Sequence, residues 1–163
     1  MKLRNVFASA LAIAVLSAAA SAAPGHKPGE GHDHPEETAY GKPGDPKKPA
    51  RIVQIVFRED DGKMLFLPNN LKVRKGEQIR FQLRNNGVLD HEFVVGTVEE
   101  NLKHMKEMEK NPDMEHDDPN AKRLKPKATG EIVWQFTKAG TFDFSCLIPG
   151  HRQAGMFGTI IVE

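Results

Sequence analysis

The chain of 163 residues carries 23 basic and 22 acidic side chains, which suggests one domain with almost no net charge. Those charges are interspersed, so nucleic acid is excluded as an expected partner, because it would call for a basic excess gathered on one face. One cysteine, Cys146, excludes a disulfide-built scaffold.

At the N-terminus, Lys2 and Arg4 precede an apolar, alanine-rich run from Val6 to Ala20, followed by the small residues Ala20-Ser21-Ala22. The pattern predicts a secretory signal peptide over residues 1–22 and a periplasmic destination. Cleavage is placed after Ala22, since cutting after Ala23 would leave Pro24 at the new N-terminus. The run is short for a membrane span, and no other apolar run approaches the roughly 20 residues one needs, so no stable span is expected after cleavage. Losing Lys2 and Arg4 from the 23 basic residues leaves 21 against 22 acidic ones. An oxidising compartment normally pairs cysteines, so the lone Cys146 is either buried and inert or held as a metal thiolate.

Residues 23–50 are rich in Gly, Pro, Glu, Lys and His, with Tyr40 almost the only large apolar group. Such a stretch buries too little surface to offset the entropy of ordering, and a flexible tail is expected. It contains His26, His32 and His34. Gly31-His32-Asp33-His34 reads either as a weak site for Cu(II) or Zn(II) or as solvated tail.

A folded domain is expected over 51–163. Arg51 to Phe57 alternates as a strand, with Val53, Ile55 and Phe57 on one face, and Glu59-Asp60-Asp61-Gly62 supplies a turn. Met64, Phe66 and Leu71-Lys72-Val73 follow, then a clean alternation from Glu77 to Arg84 with Ile79, Phe81 and Leu83 inward. Asn85-Asn86-Gly87 breaks the run, and Asp90-His91 opens the next strand. Near residues 98–111 the pattern changes to a helical insertion, with Thr97 and Glu100 forming a capping box and Asn111-Pro112 ending it. Val98, Leu102 and Met105 make its apolar stripe, with Met105 as a packing residue, while His104 and Met108 lie one turn apart off its edge. With Met114 and His116 in the following polar loop, these two read either as an accessory copper-handling surface or as an amphipathic helix and its connection. Strand patterns return at Glu131–Phe136, Gly140–Cys146 and Met156–Val162. Short strands between Gly, Pro and Asn turns indicate an all-β antiparallel sandwich or barrel.

The chemistry concentrates in Cys146-x4-His151-x4-Met156. Thiolate, imidazole and thioether are ligand types of a blue-copper site, in which two His and one Cys lie in a plane and a Met binds weakly along the axis. His91 is the candidate for the second imidazole. Cys146 ends a strand, His151 and Met156 lie on the loop to the last strand, and His91 begins an earlier one, so all four can meet at one end of a sandwich. Phe93, Phe144, Ile148 and Phe157 are expected to restrict water there.

These residues resemble the cupredoxins, the blue type 1 copper proteins: His91 in Asp-His-Glu-Phe, Cys146, His151 in Pro-Gly-His and Met156 in Ala-Gly-Met. The resemblance covers roughly residues 51 to 163 and implies a Greek-key β-sandwich holding one type 1 copper. The His-bearing tail, His-Met-x2-Met and Met-Glu-His-Asp-Asp-Pro make the chain similar to periplasmic, CopI-like cupredoxins associated with copper tolerance. Many cupredoxins have Asn or Ser before the first His, a position associated with a hydrogen bond to the Cys sulfur; Asp90 stands there in this chain.

Three functions compete. A one-electron carrier would cycle Cu(II)/Cu(I) and dock a transient redox partner through a flat apolar patch at Gly150, Ala154, Gly155, Met156 and Phe157. A copper-tolerance protein would sequester copper or transfer it to a partner using the extra His and Met residues. An enzyme is the weakest reading, because copper oxidases and reductases need further copper ligands that the folded part lacks.

Overall fold

The computed structural model describes residues 37–111 and 118–163. The expected signal peptide, His26, His32 and His34 of the tail, and Met114 and His116 lie outside the described residues. Ten strands and one helix follow in the order β1 (Lys42–Pro43), β2 (Arg51–Asp60), β3 (Lys63–Leu67), β4 (Asn70–Val73), β5 (Gln78–Asn85), β6 (His91–Gly96), α1 (Val98–Lys110), β7 (Ala121–Leu124), β8 (Thr129–Gln135), β9 (Gly140–Ser145) and β10 (Phe157–Val162).

They form two five-stranded sheets, ordered β1-β8-β5-β2-β3 and β4-β10-β9-β6-β7. The alternating strands supply the core: Val53, Ile55 and Phe57 from β2, Ile79, Phe81 and Leu83 from β5, and Ile132 and Trp134 from β8 are buried. From the other sheet come Phe93, Val95, Phe142, Phe144, Ile160 and Val162. Phe66 joins the layers, its ring 5.5 Å from Phe93 and 5.4 Å from Phe144. The sandwich matches the sequence expectation, but its sheets are mixed rather than purely antiparallel. β2 runs parallel to β5, and β4 runs parallel to β10. In each case the chain leaves one sheet and returns to pair with a strand that it does not adjoin in sequence, a relation that alternation along one strand does not encode.

A second correction concerns the expected tail. Its last part, from residue 37, is packed on the sandwich. Lys42 and Pro43 pair with Gln135 and Trp134 of β8, and the buried Tyr40 ring stacks on Trp134 at a centroid distance of 5.4 Å. The Trp134 Nε1–H donates to the Tyr40 carbonyl at 3.1 Å. Gly41, at φ +123°, lies so close to β8 that a Cβ there would sit 2.0 Å from the Gln135 carbonyl oxygen. One aromatic anchor and main-chain pairing thus hold a stretch whose average composition reads as disordered.

The helix begins and ends as its capping signals predict, with the Thr97–Glu100 box formed and Asn111 at the C-cap. Its packed face differs. Val98 and Leu102 are exposed, at 47% and 38%, whereas Asn101 and Met108 are buried. Asn101 donates to Asp143 Oδ2 at 2.8 Å and Met108 enters a cluster with Val94, Ala121 and Leu147, which turns the helix away from its sequence stripe. Met105 packs at the edge of that cluster, as expected.

Because the β1 strap closes over Trp134, Tyr40→Ala should cost about 3 kcal/mol by the usual cost of emptying an aromatic site. Urea unfolding followed through Trp134, the only tryptophan, measures this. An unchanged midpoint would show that the strap is not part of the cooperative core.

Candidate metal centre

Three neighbouring strands explain how distant residues meet. His91 opens β6, Cys146 directly follows β9, and Met156 directly precedes β10. β9 pairs antiparallel with both β6 and β10, so all three positions fall at the same end of one sheet. The loop between Cys146 and Met156 is closed by main-chain bonds from Cys146 N–H to the Met156 carbonyl and from Met156 N–H to the His151 carbonyl, both 3.0 Å. Gly155, at φ +104°, makes the turn that returns the loop to β10.

His91 Nδ1 lies 3.2 Å from His151 Nδ1, and Cys146 Sγ lies 3.3 Å from His151 Nδ1. The three donor atoms all fall within 4.8 Å of one another. His91 and Cys146 are fully buried and His151 nearly so, and Met156 is buried in the same core cluster as Cys146. The structure therefore brings all four sequence candidates to one region and converges three of their donor atoms.

The surroundings orient those donors. Glu59 Oε1 lies 2.7 Å from His91 Nε2. With that nitrogen donating to the carboxylate, His91 Nδ1 keeps its lone pair for a metal. Glu59 also accepts the Val88 and Leu89 N–H groups, at 3.1 Å for its shortest bond to each. Burial opposes ionisation of Glu59, but the hydrogen bonds from His91, Leu89 and Val88 outweigh it and hold the carboxyl below its ordinary range. Asn85 fixes the same loop from the other side, donating to the Leu89 and Leu124 carbonyls at 2.7 and 3.1 Å and accepting Gly87 N–H at 2.9 Å. On the ligand loop, Arg152 donates to buried Asp143 at 2.8 Å, and Asp143 also accepts from Ser145 and Asn101.

Sequence reasoning passed over these supporting residues. Glu59 reads as a turn residue, yet β2 continues to Asp60 and the turn is made by Asp61 and Gly62, both at positive φ. Asp143 reads as a solvent-facing residue between Phe142 and Phe144, but the helix and Arg152 cover it. The hydrogen bond to sulfur comes from the main chain of the residue after His91: Glu92 N–H donates to Cys146 Sγ at 3.3 Å. Asp90 therefore leaves it intact, and its carboxylate instead faces Arg123 at 3.5 Å.

Two expectations about the apolar surround change. Phe93 and Phe144 are buried beside the site and Ile148 packs on the core, but Phe157 is exposed, with the Arg152 guanidinium 4.8 Å above its ring. Met156 does not contribute to a flat outer patch, because its side chain is turned inward; Gly150 and Phe157 are exposed, with Ala154 and Gly155 half-buried. Among the accessory candidates, His104 is half-buried and Met108 lies in the Leu147 cluster.

The centre is shut off from bulk solvent. Burial pushes the Cys146 thiol up to about 12, more than the Glu92 and Ile148 main-chain bonds offset. Burial, and next the neighbouring His91, push His151 down to about 4. Two imidazoles beside a thiol whose proton a metal can displace form the donor set of a His2Cys copper site.

The sequence model of the copper binding proteins, plastocyanin/azurin family, matches residues 53–163. The chain belongs to that family. As a cupredoxin it takes one type 1 copper as its cofactor, in keeping with the His–Cys–His group. It is 46% identical over 168 residues to the copper-resistant cuproprotein CopI of Rubrivivax gelatinosus, covering 100% of both chains. It is 33% identical over 186 residues to the protein of the same name from Pseudomonas aeruginosa, covering 96% of this chain and 95% of the other. The solved structure of auracyanin B has the same fold, with a TM-score of 0.61 at 23% identity over 76% of this chain and 96% of that one. Among the described residues, no helix of this cupredoxin is long and apolar enough to cross a membrane.

The low His151 value has a definite sign. Between its ordinary value of 6.5 and about 4, the folded metal-free protein binds fewer protons there than the unfolded chain does. The stability contributed by this group is complete above pH 6.5 and drains away as pH falls toward 4. Thermal unfolding of the metal-free protein should show a falling Tm across that window, and His151→Gln should flatten the slope.

Proposed function

We propose that the chain is an exported, periplasmic copper-tolerance protein in which His91, Cys146, His151 and Met156 hold the type 1 copper. The observation that carries the ligand assignment is the convergence of His91 Nδ1, His151 Nδ1 and Cys146 Sγ at 3.2 and 3.3 Å. Copper bound there supplies a one-electron Cu(II)/Cu(I) couple, and a His2Cys set with a distant thioether compromises between the preferences of the two oxidation states. The protein's part is to fix the donors so that little moves when an electron arrives. Glu59 holds His91, the Glu92 and Ile148 N–H groups hold the sulfur, and the Arg152–Asp143 pair holds the ligand loop.

One-electron transfer to a transient partner is thus the chemistry we assign to the centre, and copper tolerance its physiological setting. End-to-end similarity to two proteins named as copper-resistant supports the second part. The basic Lys2 and Arg4 followed by the apolar stretch support export. We read the chain as a binding and redox protein rather than an enzyme.

Adding Cu(II) to metal-free protein at pH 7 should produce an intense thiolate-to-copper visible band that saturates at one equivalent. The band should be accompanied by release of at least one proton per copper, since the thiol is held up at about 12 until metal displaces its proton. Cys146→Ser should abolish the band. Growth of a deletion strain across copper concentrations tests the physiological role: the wild-type gene should restore growth at high copper and the Cys146→Ser gene should not. Full rescue by Cys146→Ser would move tolerance away from this centre.

A further inference from the structure

The loop between β5 and β6 builds a socket for one carboxylate directly behind His91. Glu59 reaches it from β2, in the opposite sheet, and its Oε1 lies 2.7 Å from His91 Nε2. The same oxygen accepts the Leu89 N–H at 3.1 Å and the Val88 N–H at 3.2 Å, and Oε2 accepts the Val88 N–H at 3.1 Å. Asn85 sets the start of the loop, its Oδ1 accepting the Gly87 N–H at 2.9 Å. The polar groups that meet the carboxylate are donors, which is the environment that suits an anion.

Gly87 gives the socket its shape. A Cβ at this position would lie 2.3 Å from both carboxylate oxygens of Glu59 and 2.6 Å from the carboxylate carbon. Gly87 is not among the glycines at positive φ, so what calls for glycine here is the space that the carboxylate fills. Orienting His91 would not by itself require an anion, because a main-chain carbonyl or a side-chain amide also accepts an imidazole N–H. Glu59 adds a full negative charge behind the ring whose other nitrogen faces Cys146 and His151. His91 is fully buried and the Glu59 side chain 23% exposed, so water screens that charge only in part.

We propose that Glu59 is a positioning residue that sets the redox poise of the centre, its charge making His91 a stronger electron donor and so favouring the Cu(II) form over Cu(I). This inference rests on the reading of His91, Cys146, His151 and Met156 as the type 1 ligands. The oxidised form carries one more positive charge and prefers nitrogen donors, so an anion hydrogen-bonded behind one imidazole stabilises it more than the reduced form. Gly87 serves the same end by leaving the room in which the anion docks.

The test is the reduction potential of the copper-loaded full-length chain, with Glu59→Gln and Gly87→Ala each compared with the wild type. Glu59→Gln keeps an oxygen acceptor for His91 and Leu89 and removes the charge. It should shift the preference at least tenfold toward Cu(I), a rise of about 59 mV in a one-electron couple. Gly87→Ala keeps the charge in the chain but drives it out of the socket, and should raise the potential in the same direction. Proton NMR of the metal-free protein reads the hydrogen bond separately: the His91 Nε2–H should exchange slowly with water in the wild type and in Glu59→Gln, and rapidly in Gly87→Ala. An unchanged potential in Glu59→Gln with the slow His91 signal retained, or in Gly87→Ala with that signal lost, overturns the proposal and leaves Glu59 as a tie for the loop. Failure of the wild-type chain to give the thiolate-to-copper band would instead overturn the ligand assignment on which the inference rests.

Discussion

A thiol and two imidazoles held in contact in a dry interior form the constraint on which this molecule turns. Burial disfavours the charged forms of Cys146 and His151, holding the thiol up and the imidazole down, so no ion pairing draws those two together. The donors must therefore be placed by the scaffold before metal arrives. β-strand ends do this well, because their main-chain bonds are already committed to sheets and cannot drift. His91 and Cys146 sit on adjacent strands, and the Cys146–Met156 loop is tied back at both ends by its own carbonyls. Pre-placement of this kind moves the cost of assembling the site into folding, leaving metal uptake to displace a proton rather than to order a chain.

The supporting residues carry that constraint outward. Glu59 arrives from the opposite sheet and fixes His91, which links the two layers through a polar contact at the rim of the aromatic core. Asp143 does the same on the outer face. It gathers Asn101 from the helix, Ser145 from its own strand and Arg152 from the ligand loop around one buried carboxylate. The helical insertion is consequently not an appendage. Its Asn101 faces the group that holds Arg152, one residue from His151, and its Met108 packs against Leu147, one residue from Cys146.

The sequence made the first layer of this arrangement legible and concealed the second. Cys146, His151 and Met156 stand at close spacing on one segment, and His91 opens a strand, so residue type and order sufficed to find them. The inward faces of β2, β5 and β8 were equally plain, because alternation reports which side is buried. Glu59, Asn85, Glu92 and Asp143 carry no such mark, since a polar residue near a turn or between two phenylalanines has the same spelling whether it faces water or a partner 32 to 54 positions away. The strap at Tyr40 was hidden for a related reason: composition averages over a window, and a single ring stacked on Trp134 outweighs its polar neighbours. The helix failed the same way, its apolar stripe predicting Val98 and Leu102 inside while one Asn101–Asp143 bond turned them out.

Glu92 shows how closely the two layers are joined. A residue next to a metal ligand ordinarily contributes its main chain to the site and its side chain to solvent, but here both are buried, the N–H donating to Cys146 Sγ and the carboxyl accepting from the Leu147 N–H. Burial pushes the Glu92 carboxyl up to about 7, and its charge, once ionised, raises the Cys146 thiol further in a medium that screens poorly. Whatever neutralises that carboxylate lowers the local negative potential and favours the electron-rich, reduced form of the centre, while an unpaired carboxylate favours the oxidised form. By linkage the preference runs in both directions, so the charge held at the centre and the protonation of Glu92 bias each other.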